Sequence, residues 1–244
     1  LWLAAGALAL LLLLRSRARP APGPHPGRWS RALLLFLYAA PFSFAYLSLS
    51  AGTGALILFG AVQLTMIGSG LRAGERPRAR EWLGLSAALA GLLYLNLPGV
   101  SAPAPLGAAL MAVAGMAWGL YSLRGRSAVA PLAQTAESFL LATPLGMVLA
   151  GIALPHAHLS VPGVLAAIGS GAVASGGGYA AWYAVLPRLS ATRAGTIQLA
   201  VPVLAALAGV LLLGEQLTLR LALSAAGILG GIGLAISARA APRP

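Results

Sequence analysis

The chain has 244 residues, of which 59% are hydrophobic and only 8% charged, with a net charge of +12. A soluble domain carries about 25% charged residues, so this composition cannot build a water-facing surface and points to a polytopic α-helical membrane protein. Cysteine is absent, which excludes disulfides, a thiolate nucleophile and cysteine metal sites.

Long apolar runs without period-two alternation favour helices over a β-barrel. In chain order the expected spans are Leu1–Leu14, Ala32–Leu49, Gly52–Leu71, Trp82–Leu97, Leu106–Leu123, Leu132–Leu154, Val161–Leu186, Ala194–Leu213 and Leu219–Ile236. At roughly 20 apolar residues per crossing this is about nine transmembrane helices. The Pro- and Arg-rich segment Arg15–Arg31 and the Pro/Gly pieces Asn96–Pro105 and Pro155–Gly163 read as loops. The first run is short and lacks the basic flank of a signal peptide, so it reads as a helix cut at its start.

Arginines cluster after alternate spans, at 15–31, 72–80, 124–126, 188–193 and 239–243. Fifteen of the 16 basic residues therefore fall on one face, and the loops of the other face carry only Arg220. The positive-inside rule makes the arginine-rich face cytoplasmic, with the C-terminus inside, in a bacterial plasma (inner) membrane.

An internal repeat accompanies this alternation. Leu49-Ser50-Ala51 overlies Leu189-Ser190-Ala191, and the same offset carries Gly74-Glu75 onto Gly214-Glu215. The Gly-Glu match is informative because the chain has only four acidic residues. Leu85-Ser86-Ala87-Ala88 resembles Leu223-Ser224-Ala225-Ala226, two residues out of register. Gly74-Glu75 falls in an inside loop and Gly214-Glu215 in an outside loop, so the copies run in opposite senses, as in secondary transporters. The copies are expected over 1–98 and 103–238, the first with four helices and the second with five; an apolar helix ahead of Leu1 would restore the balance.

Here the residues resemble a known group. Leu189-Ser190-Ala191-Thr192-Arg193-Ala194, Pro202-Val203 and Leu213-Gly214-Glu215-Gln216-Leu217-Thr218 are similar to the EamA-type branch of the drug/metabolite transporter superfamily. So is Ala117-Trp118-Gly119-Leu120-Tyr121 in the fifth span. The resemblance implies ten helices in two inverted five-helix units and transport, expected to be export, of small metabolites such as amino acids or related compounds. Departures are Val62, where the second copy has Pro202, and the arginines after Glu75.

Candidate functional residues follow from chemistry that is rare in lipid. Glu137 is an acid well within a span, where it would bind a cationic group, carry a coupling proton, or exploit the helix dipole near the water. Glu75 and Glu215 recur at matched loop positions, as gating groups or as caps and arginine partners. Trp118, Tyr179, Trp182 and Tyr183, with Tyr121, offer polar-tipped aromatic faces for a solute, or an interfacial belt. Gln63, Gln198 and Thr65 are uncharged polar groups inside spans, fit for substrate or for bonds between helices. Pro202 lacks the N–H that would pair the Gln198 carbonyl, which then needs a partner or a wet cavity. The glycines at 169–178, and Gly227 with Gly231, suit close packing or a hinge.

His156 and His158 form a weak H-x-H pattern, and no metal or other cofactor is expected. No GxxxxGK motif is present, so the chain does not drive itself with ATP. An intramembrane serine protease would need a histidine in the membrane; all three histidines lie in loops, Asp is absent, and no enzyme activity is expected. A non-transporting receptor-like assembly is the alternative. Expected partners are the bilayer and a small solute, with a proton as a further candidate and no nucleic acid; an oligomer is left open. Membrane-impermeant labelling should reach the Glu75 and Glu215 loops from opposite faces, and labelling of both from one face would remove the inverted repeat.

Overall fold

The computed structural model describes residues 2–16, 27–97, 103–128, 130–156, 160–214 and 216–237, and its elements are helical. They are α1 (Trp2–Ser16), α2 (Arg28–Ala45), α3 (Ala51–Arg72), α4 (Ala79–Asn96), α5 (Pro105–Arg126), α6 (Pro131–Ala153), α7 (Val161–Gly169), a π-helical stretch (Ser170–Gly177), α8 (Gly178–Val185), α9 (Ala191–Gln198), α10 (Ala200–Leu213) and α11 (Leu219–Ser237). Loop residues Arg17–Pro26, Glu215, His158 and the arginines beyond Ser237 lie outside the described residues.

The expectation of nine transmembrane helices is corrected. With α7 through α8 as one rod and α9 with α10 as another, there are nine described rods, but six are long and apolar enough to cross a membrane. These are α3, α5, α6, Val161–Arg188, Ala191–Leu211 and α11. The other three fall short for physical reasons. In α1 the described apolar helix is Trp2–Leu14, shorter than the apolar stretch of 18 residues in each of the six. Helices α2 and α4 have 18 residues each, and Arg28 and Arg31 in one, Arg80 and Glu81 in the other, shorten the apolar part. The crossing helices turn large aliphatic side chains outward, as Leu64 at 79% and Leu211 at 81% exposure show. Such a surface suits lipid and not water.

The residues divide into two compact units, Leu1–Ala40 with Leu120–Arg188, and Pro41–Gly119 with Leu189–Pro244. In the first, α1 lies on α6 and on the π-helical stretch. Close approach is possible because Gly171 has no side chain: a Cβ there would overlap the Trp2 carbonyl. The hydroxyls of Thr135, Ser138 and Thr143 in α6 donate to carbonyls one turn back at 2.7–2.8 Å. Polar side chains are thereby satisfied within their own helix.

In the second unit α4 packs antiparallel on α11. A Cβ on Gly84 would overlap the Gly231 carbonyl, and one on Gly231 would overlap that of Gly84. Gly91 meets Ile228 and the Ser224 carbonyl in the same way, at 2.9–3.0 Å from a built Cβ. The backbones therefore touch, as small-residue contacts allow in membranes. The residues matched in the repeat recur in equivalent roles. Ser50 caps α3, accepting from Thr53 N at 3.3 Å, and Ser190 caps α9, accepting from Arg193 N at 3.2 Å. Gly74 and Gly214 follow α3 and α10 with φ of 84° and 69°. That left-handed region favours glycine, which explains why Gly precedes both glutamates.

Gly231→Leu should lower the stability of the detergent-solubilised protein by about 1–3 kcal/mol or more, through overpacking. Gly230→Leu, where a Cβ meets no atom within 4 Å, should leave the thermal midpoint nearly unchanged in the same melt.

Candidate functional site

Within the second unit, the rod Ala191–Leu213 is interrupted. α9 ends at Gln198, and Leu199 N turns back to the Thr196 carbonyl at 3.1 Å instead of reaching Gly195. A regular helix would have Leu199 donate to Gly195. The released Gly195 carbonyl accepts instead from Gln63 Nε2 of α3, at 2.7 Å. Pro202, four residues on from Gln198, has no N–H and cannot complete the next bond. The interruption lies about 12 Å along the rod from Ala191, at 1.5 Å per residue. Broken helices at such depth are tolerated where a partner or a cavity takes up the backbone groups.

A polar network gathers around this break. Trp118 Nε1 of α5 donates to Gln198 Oε1. Gln198 Nε2 faces Met66 Sδ at 3.0 Å and the Ala194 carbonyl at 3.5 Å. Gln63 and Gln198 are 3% and 5% exposed. Gln63 Oε1 is buried and has no hydrogen-bond partner among the described residues. An acceptor left unmet in a dry site costs roughly 1–3 kcal/mol. Thr65 stays out of the network, donating to the Ala61 carbonyl at 2.8 Å.

At the arginine-rich end of the same unit, Gly74 turns the chain and Glu75 N donates back to the Gly70 carbonyl at 2.9 Å. The Glu75 carboxylate then reaches α9, where Oε1 accepts from Ala191 N at 2.7 Å. Its Oε2 accepts from Thr192 N and Thr192 Oγ1, both at 3.2 Å. Sequence reasoning offered Glu75 as a gating group, as a cap for the helix that follows it, or as an arginine partner; its carboxylate meets the start of α9. Arg193 Nε donates to Glu81 Oε1 of α4 at 2.8 Å, while Glu81 Oε2 accepts from Arg78 N at 2.8 Å. Glu215, the repeat partner of Glu75, lies outside the described residues.

The first unit holds the remaining candidates. Tyr121, Tyr179 and Tyr183 form an aromatic cluster with centroids 6.1–6.2 Å apart, and Phe139 joins Tyr179 at 5.2 Å. Most of these pairs are edge-on, the arrangement that ring quadrupoles favour. Trp182 is partly exposed, but its Nε1 is buried without a hydrogen-bond partner among the described residues. Glu137 receives Arg31 at 3.3 Å, with Arg28 at 4.0 Å. Its charge is thus balanced within the unit. A cleft beside this pair is lined by Arg31, Tyr121, Gly125, Gln134, Thr135 and Tyr183. Gly125 is required there because a Cβ would overlap the Tyr183 ring.

The structure thus brings Gln63, Gln198 and Trp118 to the break in one unit, with Pro202 one turn further along the same rod. It gathers Tyr179, Trp182, Tyr183 and Glu137 in the other. Sequence reasoning missed Met66, Gly195, Glu81 and Arg193. For Glu81 a signal was present, since it is one of only four acids. For Gly195 none was, because its role follows from where α9 stops. Among the described residues, no group of three His, Cys, Asp or Glu could hold a metal ion.

Comparison with known proteins gives three results. Residues 105–237 match the model of the EamA-like transporter family. An uncharacterized protein of Pseudomonas aeruginosa is 51% identical over 189 residues, covering 78% of this chain and 66% of its own length. An uncharacterized transporter of Archaeoglobus fulgidus is 30% identical over 197 residues, covering 78% of this chain and 69% of its own length. The chain thus spans about two thirds of each of these relatives. A solved crystal structure, described only as a protein, superposes with a TM-score of 0.82 at 22% identity, over 96% of this chain and 84% of its own. At that identity the likeness concerns the fold.

Glu137→Leu should destabilise the protein by about 1–3 kcal/mol, because Arg31, with 11% of its side chain exposed, then loses its carboxylate. The double variant Arg31→Met/Glu137→Leu should recover most of that loss in a double-mutant cycle read by thermal unfolding.

Proposed function

The chain belongs to the EamA-like transporter family, and from that premise we propose that it is a secondary transporter, an exporter of small polar metabolites such as amino acids or related compounds. The observation that supports this most is the interrupted rod at Leu199. An apolar membrane helix that breaks beside two buried glutamines offers backbone and side-chain polar groups to a solute at membrane depth. Gln63 Oε1 is an acceptor awaiting a donor. Gln198 and Trp118 bound the same place, and Pro202 keeps the helix from closing over it. In this reading Tyr179, Trp182 and Tyr183 line the solute's path in the first unit, while Glu137 fixes Arg31.

The cycle is alternating access by the two inverted repeats, 1–98 and 103–238, in a plasma membrane with the arginine-rich loops and the C-terminus inside. Energy comes from a solute or proton gradient.

The test is flux of a broad metabolite panel in proteoliposomes containing the full protein. A transported solute should lose about tenfold or more of its flux with Gln63→Ala or Gln198→Ala, because each removes a hydrogen-bonding group from a dry site. Absence of flux across the panel in folded protein would favour a receptor-like assembly.

A further inference from the structure

We infer that Glu75 is a latch, closing the arginine-rich end of the second unit and released when that end opens. This rests on the transport reading above. The first argument is that the bond is not local capping. α9 already has its own cap, Ser190 Oγ on Arg193 N at 3.2 Å. Glu75 adds a carboxylate from 116 residues away, held by Ala191 N, Thr192 N and Thr192 Oγ1. Hydrogen bonds to a charged acceptor are the strong kind, and a helix N-terminus favours the negative charge.

The second argument is how the contact beneath it is built. The C-terminal half of α3 meets α9 through Gly70, Ala191 and Gly195. A Cβ on Gly70 would stand 2.6 Å from Glu75 Oε2 and 3.1 Å from Ala191 Cβ. A Cβ on Gly195 would stand 2.9 Å from Gln63 Oε1. One further tie runs along the same seam, Gln63 to the Gly195 carbonyl at 2.7 Å, and Arg193 ties the start of α9 to Glu81 of α4 at 2.8 Å. Small residues contribute little apolar area, so polar bonds, from the partly exposed Glu75 down to the buried Gln63, hold the seam. Opening it would release the partly exposed Glu75 carboxylate towards water.

The third argument is asymmetry. An inverted repeat has a mirror of this seam at the opposite end, between the first half of α3 and the second half of α10. α3 packs on α9, and among the described residues it makes no comparable packing on α10. Among the described residues the α3–α9 seam is formed and its α3–α10 counterpart is not comparably packed, as expected for one of two states of an alternating device. The parts for the counterpart recur: Ser50 caps α3 as Ser190 caps α9, and Gly214 turns the chain as Gly74 does. In the sequence Glu215 then stands where Glu75 stands.

The absence of native cysteine makes the test direct. Ala194→Cys places a thiol one turn into α9, at a fully buried position. Its modification by a membrane-impermeant thiol reagent, applied to each face of vesicles in turn, reports opening of the seam. With Glu75 intact, labelling from the arginine-rich face should be slow. Glu75→Gln should accelerate it about tenfold or more, the scale of losing charge-assisted bonds, with Glu75→Asp between. Ala73→Cys, at an exposed position, should react at the same rate in all backgrounds. Equal labelling rates for Ala194→Cys alone and for Ala194→Cys combined with Glu75→Gln would overturn the latch. Should Glu75→Gln fail to fold, Glu81→Gln, which weakens the second tie, must accelerate labelling in its place, and no acceleration there would also overturn it. Labelling needs no solute, so accelerated labelling without flux would refute the transport reading alone. Flux with unchanged labelling would refute the latch alone.

Discussion

A backbone carbonyl in hydrocarbon has no water to turn to, and that constraint organises the second unit. Where α9 stops, the Gly195 carbonyl loses its helical donor, and Gln63 of α3 supplies one at 2.7 Å. The bond is possible because Gly195 carries no side chain, so α3 can come close enough for a glutamine amide to reach a main-chain oxygen. One interruption thus fixes which helix lies beside α9, at what height, and which residues there must be small or polar. Met66, Trp118 and Gln198 fall around the same point. Leaving such a group unmet costs several kcal/mol in lipid, more than any one apolar contact contributes.

The rest of the packing follows a related rule. Helices in lipid gain no hydrophobic free energy by leaving lipid for one another, so contact depends on close approach and on a few polar bonds. Gly84 and Gly231 bring α4 and α11 to backbone contact, and Gly171 does the same for α1 against the π-helical stretch. In the second unit the polar ties are Gln63 to the Gly195 carbonyl and Glu75 to the start of α9, both between the α3 segment and α9, with Arg193 of α9 meeting Glu81 of α4.

Several of these features were legible in the residues. The repeat rested on one matched triplet, one Gly-Glu pair and a four-residue match two residues out of register. Its serines are the N-caps and its glycines the left-handed turns of equivalent helices. Pro202 was expected to free the Gln198 carbonyl; the helix gives way at Leu199, before the proline, and the carbonyl that finds a side-chain donor is that of Gly195. The count of crossings was less legible. Arg28 and Arg31, and Arg80 with Glu81, belong to the helices α2 and α4 and not to the loops before them. A hydropathy reading moves such charges outside the span, and so overestimates how much apolar helix is left.

The sequence alone determined that the chain lives in a bilayer, that its arginines gather between apolar runs, and that Leu-Ser-Ala and Gly-Glu recur at one offset. These are properties of composition and period, which each residue carries without its neighbours. Only the tertiary structure decided that Glu75 reaches α9 and not α4, that Glu137 is balanced by Arg31, and that Glu81 meets Arg193. Those pairings join residues separated by 106 to 116 positions. A carboxylate chooses among the donors that folding brings within about 3 Å of it, and distance along the chain says nothing about which those are.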